Sequence, residues 1–163
     1  MKCVAAVRMT FLLVALASAG AFAQTAPAQA PAAAVPQALT YEMAVQVMDA
    51  AEAEARKNKW NVTIVVTDAA GVPVVLRRLT GASPRSYDIA TRKAATVVAT
   101  KLTTAIYGEQ LKAGSVKEVP NGITFAGGVP IMRGSEFIGA VGTSGVRAIE
   151  DEQISKAGAS VIK

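Results

Sequence analysis

The chain has 163 residues, 52% of them apolar, with 17 Lys and Arg against 12 Asp and Glu, a formal charge of +5 and no histidine. The missing histidine removes the usual general base near neutral pH and the commonest metal and haem ligand, and a single cysteine, Cys3, excludes a disulfide framework. The basic residues are scattered and aromatic residues few, so no basic stripe points to nucleic acid.

Lys2 and Arg8 form a positive segment ahead of the apolar run Phe11–Ala17, and Ala21-Phe22-Ala23 fits the small-x-small cleavage pattern. Residues 1–23 therefore read as a secretory signal peptide, and the mature protein is expected in the periplasm or outside the cell. Cys3 lies in the part that cleavage removes, so neither zinc nor iron–sulfur ligation is expected. No other apolar run approaches the length of a membrane span. Without Lys2 and Arg8, 15 of the 17 basic residues remain against 12 acidic ones, a mild excess. Residues 24–38 (QTAPAQAPAAAVPQA) carry no charge and several prolines, as a disordered leader does. Residues 39–163 have the length of a single domain.

Thr40 can cap a helix running to about Asn58, with Ala44, Val47, Met48, Ala51 and Ala55 on one apolar face. NVTIVVT (61–67) is rich in β-branched residues and reads as a buried strand. Asp68-Ala69-Ala70-Gly71 supplies a turn into a second strand over 72–79, where Pro73 indicates an edge or a bulge. Ser83-Pro84 opens a helix with Ala90, Ala94, Val97 and Val98 on one face, and a further helical piece covers 103–112. A glycine-rich hairpin over 124–145 turns at Arg133-Gly134-Ser135. The last helix starts near Ile149, with Glu150, Asp151 and Glu152 in its first turn as the helix dipole prefers, and Ile154, Ala157, Gly158 and Val161 inward. Strands joined as hairpins imply an antiparallel sheet with helices on its faces, an α+β fold.

Gly142-Thr143-Ser144-Gly145 is not a nucleophile elbow, since glycine follows the serine directly, and there is no phosphate-binding loop. Nothing in the spacing selects a catalytic carboxylate, Tyr or Lys. The densest basic group is Arg77, Arg78, Arg85, Arg92 and Lys93. Alternation sends Arg77 and Arg78 to opposite faces of their strand, while Arg85 and Arg92 share a helix face. That group is either a solvated surface or a clamp for a carboxylate. The hairpin glycines likewise have two uses. Gly139, Gly142 and Gly145 allow close packing, and Gly127 and Gly128 either do the same or let a bulky ligand approach the backbone.

VTIVVTDAAGVPVVLRR (62–78), GASPRSYDIATRKA (81–94), FAGGVPI (125–131) and IGAVGTSGVRAIEDEQISKAG (138–158) together resemble the GlcG/HbpS-like family of haem-binding and uncharacterised domains, related to the C-terminal domain of PduO-type proteins. The resemblance covers nearly all of the expected mature domain. It implies a profilin-like or roadblock-like layout, a central antiparallel sheet of about five strands flanked by helices. It also implies a homo-oligomer, and binding of haem or a related tetrapyrrole for sequestration or sensing. Where haem-binding members can carry a histidine before the tyrosine of the second-helix motif, this chain has Arg85 before Tyr87. Thr103 aligns with a threonine implicated in haem contact, and Asp151 with an acidic residue of the final helix. The family's R-M-D-G-A element reads Arg78-Leu79-Thr80-Gly81-Ala82. With no histidine, Tyr87 or Tyr107 is left as a phenolate ligand for iron, and Met132 as a thioether. The expected ligand-binding residues are Arg85, Tyr87, Arg92, Lys93, Thr103, Phe125, Gly127, Gly128 and Pro130. The alternatives are an enzyme or binder acting on a small organic acid without metal, and a purely structural subunit of an oligomer.

Overall fold

The computed structural model describes residues 38–163; the expected signal peptide and the leader up to residue 37 lie outside the described residues. Thr40 caps helix α1 (Tyr41–Lys57) by accepting from Met43 N at 3.2 Å. All five residues of its apolar stripe, Ala44, Val47, Met48, Ala51 and Ala55, are fully buried. Strand β1 (Thr63–Asp68) turns through Asp68, whose carboxylate accepts from the amides of Ala70 and Val72, into strand β2 (Pro73–Arg78). Helix α2 (Arg85–Thr100) and helix α3 (Thr104–Lys112) follow, then strand β3 (Gly128–Arg133), strand β4 (Glu136–Ser144) and helix α4 (Ala148–Ala159).

The strands form one antiparallel sheet in the order β2-β1-β4-β3. It has four strands rather than about five, with the rest of the α+β layout as expected. β1 is central and buried on both faces because its side chains alternate between two helical layers. Ile64 and Val66 join α1 and α4 in the main core with Val129, Ile131 and Val141. Thr63 faces α2, where its hydroxyl pairs with that of Ser86 at 2.7 Å. Ala94 and Val97 of α2 pack there on Ala140. β2 is an edge strand, and the register slips between Val66 and Thr67 opposite Pro73, the bulge that a proline without an amide donor requires.

Arg77 crosses from β2 to α1 and pairs with Asp49 at 2.5 Å and Glu52 at 2.7 Å, so it is structural rather than part of a ligand clamp. Its hydrogen bond holds the Glu52 carboxyl below the ordinary 4.5. A carboxyl lowered in the folded state contributes stability above its unfolded value and loses it as pH falls through the folded one. The urea midpoint of Glu52→Gln should therefore lie below wild type at pH 6, with the gap narrowing as the pH falls below 4.5.

Candidate functional site

Gly127 and Gly128 lead into β3, where the expected site was centred. Gly127 has φ +127°, a conformation side chains rarely adopt, and a Cβ there would strike Lys93 Nζ and lie 2.8 Å from Thr143 O. A Cβ on Gly128 would sit 2.7 Å from Thr104 Cγ2, 2.8 Å from Lys93 O and 2.9 Å from Val97 Cγ2. The room left by the two missing side chains is filled by the domain's own atoms. These glycines serve internal packing and do not open the backbone to a ligand.

What fills that room is an ion pair. Lys93 is wholly buried, and its Nζ donates to Asp151 Oδ2 at 2.7 Å and to Thr143 O at 2.8 Å. Asp151 Oδ1 accepts from Val146 N, Ser155 Oγ donates to Gly127 O, and Ser155 also bonds to the Thr143 hydroxyl. Thr104 Oγ1 accepts from Gly128 N at 3.0 Å. Burial pushes the Lys93 ammonium down and the Asp151 carboxyl up, and the attraction between them opposes both shifts. Phe125, half-exposed, lies over the pair with its ring centre 5.1 Å from Lys93 Nζ. Lys93 thus belongs to no surface clamp, and Asp151 does far more than neutralise a helix end.

The other expected residues do not converge on one point. Thr103 is the N-cap of α3, its hydroxyl accepting from Ile106 N at 3.2 Å. Thr103→Ala should cost about 1 kcal/mol of stability through the lost cap, seen as a lower urea midpoint. Arg92 donates from Nε to Asn121 O and reaches Asp88 at 3.6 Å, tying the 121–125 segment to one flank of α2. Arg85 lies on that same flank, exposed. Tyr87 is 52% exposed on the opposite flank of α2. Pro130 is half-buried in β3 opposite Ala140. Tyr107 is core, its hydroxyl accepting from Val119 N at 2.8 Å, and it is closed to a ligand. The sequence reading missed Thr104, Thr143 and Ser155, polar residues whose spacing in the chain gives no sign that they meet.

Residues 39–160 match the family model described as haem degrading protein HbpS-like. The chain belongs to the HbpS-like family. Protein GlcG of Escherichia coli (strain K12) is 35% identical to it over 108 residues, 65% of this chain and 81% of that protein. Among solved structures, HbpS is similar with a TM-score of 0.74 and 31% identity, over 85% of this chain and 99% of that one. A double mutant of Streptomyces reticuli HbpS gives 0.71 and 34%, over 84% and 99%. A structure described as a complex of PduOC with heme gives 0.65 and 27%, over 77% and 96%.

The donor set of this HbpS-like chain limits how haem could be held. There is no histidine. Among the described residues no cluster of His, Cys, Asp and Glu could hold a metal ion. Met132, the thioether candidate, is half-buried in β3, Tyr107 is engaged, and Tyr87 stands apart from the Arg85–Arg92 flank. Among the described residues, cavities of about 200–280 Å3 fall below the roughly 300–1,000 Å3 that encloses a drug-sized ligand. The residues fit a tetrapyrrole lying on the surface by its face and carboxylates, and do not fit one buried on an axial ligand. No described helix is long and apolar enough to cross a membrane.

Proposed function

We propose that this protein is an exported binder of a haem-class tetrapyrrole that sequesters or senses its ligand. The observation that carries the reading is the relative in complex with heme, similar to this chain over 77% of its length at 27% identity. The exposed ring of Phe125 beside the Arg92 flank of α2 is an aromatic platform for the macrocycle. A second copy of the chain would cover the ring's open side. The signal-peptide pattern of residues 1–23 supports a role outside the cytoplasm.

Titration of the purified protein with hemin should give a saturable Soret shift at micromolar concentration, weakened about tenfold by Phe125→Ala and unchanged by Tyr87→Phe. The absence of any saturable shift would overturn the reading. The family description names haem degradation, so the same sample should be followed with time under a reductant and oxygen. A stable Soret band identifies a binder, and a decaying one a catalyst.

A further inference from the structure

Among the described residues most arginines have a carboxylate partner. Arg56 pairs with Glu52, Arg77 with Asp49 and Glu52, Arg92 with Asp88, Arg133 with Glu136, and Arg147 with Glu150. Arg85 has none, and unlike Arg78 on the exposed edge strand it lines a cavity. The cavity, about 230 Å3, lies between the start of α2 and the turn from β4 into α4.

Its walls are of two kinds. Ile89 and Val146 are apolar, whereas Ser83 and Ser144 bring hydroxyls. Ser86 also lines it, but its hydroxyl is committed to Thr63 and to Ser83 O. Ser144 is only 6% exposed, and no hydrogen-bond partner for its hydroxyl occurs among the described residues. A hydroxyl that is open to the cavity and free to donate, beside an unpaired guanidinium, offers two kinds of donor to one acceptor.

We propose that this cavity is a receptor for a carboxylate on a short carbon chain. Arg85 forks onto both oxygens, and the hydroxyls of Ser83 and Ser144 donate to their remaining lone pairs. The chain lies along Ile89 and Val146. Two apolar walls suit such a tail and would leave a phosphate partly unsolvated. The volume takes a short acid or one arm of a larger molecule. The first turns of α2 and α4 flank the cavity and add their positive ends to the field. This argument rests on the cavity walls alone and stands whether or not the protein binds haem.

The carboxylate could be a free short-chain acid or a propionate arm of a tetrapyrrole, and two arms of one experiment separate them. In the first, 15N-labelled protein is titrated with sodium propionate against sodium chloride at equal ionic strength. Saturable shifts at the Ser144–Val146 amides and the Arg85 side chain, absent in Arg85→Ala and reduced in Ser144→Ala, identify a free-acid site. In the second, hemin is compared with its dimethyl ester. Weakening of about tenfold by esterification and by Arg85→Ala, with no further loss on combining them, identifies a propionate arm. Arg85→Lys should recover only part of either effect, since an ammonium cannot fork. If neither arm depends on Arg85, the proposal is wrong. Failure of hemin to bind at all would remove the tetrapyrrole reading, and the propionate titration alone would then decide this one. Arg85 is exposed, so unchanged thermal melting of its variants shows that lost binding is not lost folding.

Discussion

Asp151→Ala should destabilise the domain by about 3–5 kcal/mol, the cost of leaving one member of a buried ion pair without its partner. Lys93 is wholly buried, and Asp151 is its carboxylate counter-ion at 2.7 Å. Removing that carboxylate also frees Val146 N at the entry to α4. Lys93→Met combined with Asp151→Ala should recover at least half of the loss, because replacing both charges removes the penalty for burying them. Urea unfolding of the two single variants and the double variant makes the measurement. A double variant as unstable as the sum of the singles would show that the pair's Coulomb attraction is not what holds α2 to α4.

Gly142→Ala should be comparably damaging, at about 3 kcal/mol or somewhat more, as overpacking against rigid atoms can be. An added Cβ would run into Ala90 O and stand 2.7 Å from Ala94 N. Both are backbone atoms of α2, with no rotamer to turn aside, so the helix must lift from the sheet. Gly134→Ala is the proper comparison. It sits in the β3–β4 turn at φ +58° with nothing within 4 Å of an added methyl. Its cost should be only the conformational one, about 1–2 kcal/mol. Equal urea midpoints for the two variants would refute the packing explanation for the hairpin's glycines.

The sequence made visible whatever depends on local period. The α1 stripe repeats at 3.6 residues, and every member named from that spacing is buried. The hairpin turn expected at Arg133-Gly134-Ser135 closes at Gly134-Ser135, with Arg133 ending β3. The candidate site was less legible because its chemistry is tertiary. Lys93 was grouped with surface arginines, yet Ser86, Ala90, Lys93 and Val97 recur at spacings of four, three and four along the buried face of α2. Asp151 likewise precedes Ile154 and Gly158 on the inward face of α4. A charge inside an apolar stripe needs a counter-ion, so two opposite charges, each in such a stripe, were a signal available in the sequence. Thr103 and Thr104 show the opposite limit. Neighbours in the chain, they divide into a helix cap and a buried contact to Gly128 N, and only the start of the helix decides which is which.

The pairing of β1 with β4 has a consequence for synthesis. Ile64 meets Thr143 across most of the length of the domain, so the central strand has no partner on one edge until nearly the whole chain has been made. Such distant closure is slow, and meanwhile TIVVTD presents an open, β-branched edge suited to pairing with another molecule. Fragments that end before Glu136 should therefore accumulate as aggregates, and a holdase that shields nascent chains should raise the yield of the intact protein.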